Sequence, residues 1–318
     1  MPTLNERAHE LASAMVADAD TLGIAVSTLD CGTRIIDCGV KAPGNMEAGF
    51  RLAEVCLSGL GSVHPFVSLD PALGVYRGVG IATQYPFEAC MASQYAGWEI
   101  NVDGYFAMGS GPMRAAAARE KLFEEYNYRD ASPQTCVGVL ETSKLPTNEV
   151  CTHIAQKCGV ATNWLTLLVA RTKSPAGTVQ IVARCIETAM HKLHSLGFDL
   201  RRIERAWGRA PIPPIASDDL TAIGWTNDSI LYGGYAHLRV ASDDESLQEI
   251  GPRIPSSASN DFGRPFKDIF ARYDNDFYRI DPLLFSPAKI TLANFAGTEF
   301  HFGEFAPDVL AESFSAKK

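Results

Sequence analysis

"LTLLVARTKSPAGTVQIVARCIETAMHKLHSLG" occupies residues 165–197. Its opening, 165–173, is a short run rich in β-branched and aliphatic residues and reads as a strand. A serine-proline step follows, and 174–197 then carries apolar residues at helical spacing and stops at Gly197, which predicts a single helix. At about 100° per residue, Val182, Ile186, Ala189 and Leu193 share one side and should face a core. Arg184, Glu187, His191 and His194 gather on the other. A strand feeding a long amphipathic helix is the unit from which α/β folds are built, and it sets the reading of the rest of the chain.

Outward from this unit, helical and strand patterns alternate. Leu4, Ala8, Leu11 and Met15 mark an N-terminal helix. Residues 24–30 and 33–40, separated by Cys31-Gly32, read as a hairpin. A helix over 45–61, strands over 62–69 and 76–84, and a helix opened by Pro86 follow. Then come a strand at 135–142, a helix at 147–159, a strand at 229–242 with a glycine interruption, and an antiparallel pair at 288–295 and 299–305. The fold class is α/β, with mixed sheets rather than a purely parallel one. Domain boundaries are weakly marked. The division expected is a first unit of 1–90 completed by 280–318, and a second of 91–279.

The 318 residues are 46% hydrophobic and 20% charged, enough for a sizeable core and against wholesale disorder. A net charge of −9 argues against nucleic acid or anionic lipid as the main partner. The N-terminal segment lacks the basic start and apolar run of a secretory signal, and no stretch approaches the ~18 apolar residues of a membrane span. A cytoplasmic location is expected. The eight cysteines form no C-x-x-C pair and read as buried thiols rather than disulfides or zinc ligands.

Three segments carry candidate chemistry. On the 174–197 helix, Arg184 and Glu187 admit three readings: a solvated ion pair, part of a metal site with His191 and His194, or a catalytic carboxylate held by an arginine. In "INVDGYFAMGSGPMRAAAAREK" (100–121), Gly109-Ser110-Gly111-Pro112 leads into an Ala-rich segment. This is either a tight turn feeding a helix or the wall of a pocket for a polar, partly anionic ligand met by free backbone N–H groups. It is not a dinucleotide fingerprint, because Arg114 stands at the third glycine position and no strand is expected directly before it. In 207–240, three prolines within four residues stiffen an extended loop, followed by Asp218, Asp219, Thr226, Asn227 and Asp228. These are helix caps and solvated turns, or a polar ligand-binding loop.

Taken together, "DGYFAMGSGPMRA" (103–115), "ARCIETAMHKL" (183–193), "PIPPI" with "TNDSILYGG" (211–234) and the long stretch 252–290 closely resemble methenyltetrahydromethanopterin cyclohydrolase. The resemblance runs from the N-terminal helix nearly to the last strand. It implies an α/β protein whose two parts enclose a pocket, without a Rossmann fold, usually a homotrimer. It also implies a reaction of one-carbon metabolism, in methanogenesis or formaldehyde oxidation. Water opens the cyclic methenyl cation of the pterin carrier to the 5-formyl form, with no metal and no bound cofactor. The family's catalytic glutamate and arginine lie three residues apart on one helix and fall here on Glu187 and Arg184. Substrate contacts are expected from Asp103, Gly104, Ser110, Gly111 and Arg114, and from Asn227. The rival readings are a non-catalytic pterin-binding protein and another enzyme acting on the same carrier. The latter would require a nucleotide site, for which no fingerprint is visible.

Overall fold

The computed structural model describes residues 2–130, 134–274 and 279–315. Residues 275–278 of the 252–290 stretch, and the 316–318 end of the expected division, lie outside the described residues. The strands in chain order are β1 (Ala25–Thr28), β2 (Arg34–Gly39), β3 (Gly61–Asp70), β4 (Gly74–Thr83), β5 (Trp98–Val102) and β6 (Tyr105–Ser110). They continue with β7 (Cys136–Glu141), β8 (Leu165–Ala170), β9 (Ile203–Pro211), β10 (Tyr235–Val240), β11 (Lys289–Ala293) and β12 (Glu299–Gly303). They form two six-stranded sheets, ordered β1-β2-β8-β7-β6-β5 and β12-β11-β10-β9-β4-β3. Both are mixed, as expected for an α/β chain.

The chain divides into one compact unit of 1–61 with 88–180, and another of 62–87 with 181–318. This differs from the division expected from sequence. The reason lies in strand pairing: β11 and β12 continue the sheet of β10 and β9, and β4 joins β9, so the C-terminal strands complete the later unit and not the first.

In the first unit, β2, β8 and β7 run parallel at the centre, and antiparallel β1 and the β6–β5 hairpin flank them. Parallel strands need both faces covered, and these have it. On one face, Ile36, Cys38, Val139, Leu168 and Ala170 pack with Ala8, Ala12 and Met15 of the helix Leu4–Ala17 and with Leu52 and Val55 of the helix Met46–Cys56. On the other, Ile35, Leu140, Leu167 and Val169 pack with Val150, Cys151 and Ile154 of the helix Asn148–Cys158. The alternation along each strand thus assigns each residue to a layer. The segment opened by Pro86 is helical, but Phe87–Gln94 adopts the wider π form rather than a regular α-helix.

In the second unit, β9 and β10 alternate buried and more exposed residues: Ala206, Gly208 and Ala210, then Ala236, Leu238 and Val240, all point inward. Helices Cys185–Ser195 and Asp219–Gly233 pack on this sheet. Residues 229–233, expected to begin a strand, are instead the end of the second of these helices, and the strand starts only at Tyr235. Tyr232 packs there with Leu231, Phe266 and Leu284, so tertiary burial of an apolar helix face overrides the β-branched local pattern.

Asp228 on that helix is wholly buried, accepting from the Phe266 N–H at 2.8 Å and from the Ser313 hydroxyl. Burial pushes its carboxyl up to about 7. The folded chain therefore holds this proton more tightly than the unfolded chain does. Its contribution to stability is full below the ordinary carboxylate range and is lost as pH rises through about 7. Asp228→Asn should remove this dependence, so the difference in Tm between the variant and the parent should grow in the variant's favour from pH 4 to pH 8. Parallel Tm curves over that range would show that Asp228 does not titrate as described.

Candidate active site

The helix expected over 174–197 is two helices, Pro175–Val182 and Cys185–Ser195, joined through Ala183 and Arg184. No glycine or proline marks the break. Arg184 sits at φ −101°, ψ 8°, outside helical geometry, and its N–H turns back to the Ile181 carbonyl. Its own carbonyl accepts from Thr188 N–H and starts the second helix. Arg184 is thus the N-cap, and Glu187 is the third helical residue, where the partial positive charge of the helix N-terminus favours an anion.

Val182, Ile186, Ala189 and Leu193 are buried as their spacing requires. The opposite side is not solvated. Arg184 is 6% exposed and Glu187 4%, and the guanidinium Nη1 lies 3.9 Å from the carboxylate Oε2. That distance is an ion pair and too long for a hydrogen bond. A buried pair so placed differs from an exposed one, whose worth in stability is small. Burial disfavours the charged carboxylate, while the guanidinium and the helix N-terminus both favour it. His191 and His194 lie further along the helix and are partly exposed. Among the described residues, Glu187 and the two histidines form no cluster with the geometry of a metal site.

The position of this helix start depends on Gly208 of β9, a residue that no sequence pattern singles out. A Cβ there would stand 2.9 Å from the Tyr235 carbonyl oxygen, 3.0 Å from Ile186 Cγ1 and 3.4 Å from Cys185 Sγ. The missing side chain lets the first turn of the helix seat directly on the strand. Gly208→Ala should push that turn outward and lower any turnover that depends on the Arg184–Glu187 pair by about 10-fold or more, since a misplacement of ~1 Å is costly. The check is kcat at unchanged circular dichroism. Full activity would mean that the helix start tolerates the shift.

The 100–121 segment resolves differently from expectation. Asp103 and Gly104, both at positive φ and both exposed, are the two turn residues of the β5–β6 hairpin. An Asp-Gly pair is the favoured choice for such a turn. They lie at the opposite end of β6 from Ser110 and Gly111, about 20 Å away at ~3.4 Å per residue. A strand does directly precede the G-x-G, contrary to the sequence reading. It is antiparallel to both neighbours, whereas a dinucleotide glycine turn follows a strand of a parallel βαβ unit.

Nor does the turn present an open helix start to an anion. The following helix, Met113–Ala117, has only five residues, and the Gly111 N–H is taken by the Ser93 carbonyl at 2.9 Å. The Ser110 hydroxyl lies 3.5 Å from the Val139 carbonyl. Met113 is core: its thioether fills the space over Gly109 and Gly138.

Arg114, expected to touch substrate, is 1% exposed. Its Nε donates to Glu120 at 2.8 Å, Nη2 to the other Glu120 oxygen, and Nη1 to the carbonyls of Met91 and Ser93. It lies over the rings of Tyr95 and Phe123. The side chain braces the Ser110–Gly111 turn from behind.

In the 207–240 stretch, the polar residues serve the helix Asp219–Gly233. Asp218 is its N-cap, accepting from Thr221 N–H, and Asn227 donates to the Ile223 carbonyl one turn back at 2.8 Å. Asn227 is therefore on a helix and not on a loop.

The family described as "Cyclohydrolase (MCH)" matches residues 3–314. Methenyltetrahydromethanopterin cyclohydrolase of Xanthobacter autotrophicus is 47% identical over 307 residues, covering 96% of this chain and 90% of its own. The chain belongs to the methenyltetrahydromethanopterin cyclohydrolase family. Relatives of the same name include that of Methylobacillus flagellatus, 42% identical over 98% of this chain and 95% of its own. Another, from Methanospirillum hungatei, is 38% identical over 99% of each chain. The chain is thus a cyclohydrolase-class enzyme. No disulfide links its eight cysteines, and among the described residues no helix is long and apolar enough to cross a membrane.

Proposed function

We propose that the chain hydrolyses the methenyl cation of tetrahydromethanopterin, or of its dephospho form, to the 5-formyl compound, with Glu187 as acid–base and Arg184 as its tuning partner. The observation that carries the mechanism is the buried carboxylate at a helix N-terminus with a guanidinium 3.9 Å away. The family membership and the shared name of the relatives support the substrate.

The substrate carbon lies between two nitrogens in an amidinium cation and is already electrophilic. What water lacks at neutral pH is nucleophilicity. Glu187 takes one proton from the attacking water as its oxygen bonds to the methenyl carbon. The carbon–aryl-nitrogen bond then breaks, and the nitrogen receives that proton. The remaining hydroxyl proton is released as the formyl carbonyl forms on the pterin-ring nitrogen. A positioned acid–base contributes typically ~10²–10⁴-fold. An anionic Glu187 also attracts the cationic substrate. It stabilises that cation less as its charge is neutralised, so electrostatic binding alone does not account for the rate.

The guanidinium of Arg184, 3.9 Å away, supplies a positive charge that favours the ionised carboxylate against its burial. Arg184→Ala should lower turnover and move the acid limb of the pH–rate profile to higher pH, because the carboxylate loses the charge that favours its anionic form. An acid limb that stays in place would mean that Arg184 does not tune the base. In the first unit, contacts with the carrier are proposed for Ser110 and Gly111, whose turn Arg114 holds. No bound metal or redox cofactor is invoked, and a trimer in the cytoplasm is proposed from the resemblance.

The test is the ultraviolet absorbance of methenyl-tetrahydromethanopterin mixed with purified, chelator-treated protein. Ring opening removes the conjugated amidinium and its absorbance. Decay well above the buffer rate is expected. No acceleration by well-folded protein would favour the non-catalytic pterin-binding reading.

A further inference from the structure

A polar cleft lies within the first unit, at the amino ends of its parallel strands. In register across the sheet, Thr28 of β1 pairs with Arg34 of β2, and Arg34 with Thr166 of β8. Residues matched across a ladder point to the same face. This row continues Ile36 and Leu168, which pack under the helix Leu4–Ala17, so it opens beneath the start of that helix. His9 from the helix, Thr135 from the chain entering β7, and Asn163 and Trp164 before β8 complete a cleft of about 290 Å³. That volume is near the lower bound of small-molecule sites, ~300 Å³.

Its polar groups are not used up by the fold. Thr135 is 8% exposed, and its buried hydroxyl has no hydrogen-bond partner. The same is true of the buried Nδ1 of His9. Buried polar atoms without partners are uncommon and call for an occupant. Arg34 is half-buried and, among the described residues, enters no ion pair. Among the described residues, no Asp or Glu lines the cleft; Glu10, beside His9 on the helix, acts on the imidazole in the opposite sense to Arg34. Burial and the positive charge of Arg34 together hold His9 below its ordinary value, which places the two side chains within electrostatic reach. A half-buried guanidinium, an orphaned hydroxyl and an imidazole around an acid-free cleft form a set of donors. Guanidinium groups match the planar or tetrahedral oxygens of carboxylate and phosphate in fork geometry.

We propose that this cleft binds a small oxyanion, a phosphate or carboxylate group, held by Arg34 and the Thr135 hydroxyl. It lies at the amino ends of β2 and β8, whereas reactive sites of open α/β sheets gather at the carboxyl ends. The site is built by the first unit's own residues, with Trp164, exposed at its rim, beside any organic part of the ligand.

The probes are inorganic phosphate and citrate, titrated into the full chain by calorimetry and by Trp164 fluorescence. One-site binding of at least one probe is expected, with the stronger naming the oxyanion class. Arg34→Gln should weaken it by ~10-fold or more, and Thr135→Val by a smaller factor, matching the loss of a charge-assisted and a neutral hydrogen bond. Trp164→Phe should abolish the fluorescence response while the heat of binding remains. This variant sits on the exposed rim and keeps the test informative if Arg34→Gln folds poorly. No binding of either probe at 10 mM would overturn the proposal. So would equal affinity in well-folded Arg34→Gln, or a fluorescence response unchanged in Trp164→Phe.

Discussion

Glu187→Gln should retain substrate binding and lose at least ~10²-fold in turnover. The amide preserves the shape of the side chain and its place at the third position of the helix Cys185–Ser195. It cannot accept the water proton, and it cannot hand that proton to the leaving nitrogen. It also removes the negative charge paired with Arg184, so a buried guanidinium loses its 3.9 Å partner. Some loss of stability should accompany the change, which is why binding and turnover need separate measurement. The outcome is read from single-turnover decay of the methenyl absorbance at saturating enzyme, beside equilibrium binding of the same compound. Normal turnover in the variant would remove Glu187 from the mechanism, and Arg184 would lose its proposed role with it. Lost binding with normal turnover per bound substrate would instead make Glu187 a residue of recognition.

The second large effect concerns stability. Arg114→Met should destabilise the fold by about 3–5 kcal/mol, the usual consequence of removing one partner of a buried ion pair. The thioether fills much of the volume but leaves Glu120 without its fork and the carbonyls of Met91 and Ser93 without donors. Those carbonyls belong to the segment whose Ser93 also receives the Gly111 N–H, so the disturbance reaches the Ser110–Gly111 turn. Denaturant titration measures the loss. A shift below 1 kcal/mol would show that water replaces the brace at little cost. Replacing Arg114 and Glu120 together by apolar residues should recover part of the loss, because no charge is then left buried alone. If Arg114 touched substrate instead, its loss would appear mainly in KM at unchanged stability.

Much of the architecture could be read from the chain. The stripe of Leu4, Ala8 and Met15, the Cys31-Gly32 hairpin and the apolar run of 165–170 became the helix, hairpin and central strand they suggested. These signals are local: period and turn chemistry depend on neighbours a few residues apart, and burial on one side reinforces them. Seven of the eight cysteines are buried as small apolar groups, while Cys31, in the β1–β2 turn, is partly exposed.

Where the reading failed, the deciding contacts were distant in sequence. Asn227 and Asp228 look like loop residues because Asn and Asp favour turns. They are helical because the face carrying Leu231 and Tyr232 is buried and because Phe266 and Ser313 satisfy the Asp228 carboxyl. Arg114 looked like a ligand contact because it follows a glycine turn, yet Glu120, Met91 and Ser93 consume its donors. The break at Arg184 has no glycine or proline to announce it.

By itself, then, the sequence determined the α/β class, the identity and order of most elements, and the family, and it singled out Arg184 and Glu187 as the pair proposed for the chemistry. Only the tertiary structure decided that this pair is buried at a helix N-terminus, that Gly208 sets where that helix begins, and which strands complete each sheet. The reason is physical. Periodicity specifies which side of an element is apolar, but burial, pairing and the loss of solvent around a charge depend on what the rest of the chain brings to that side.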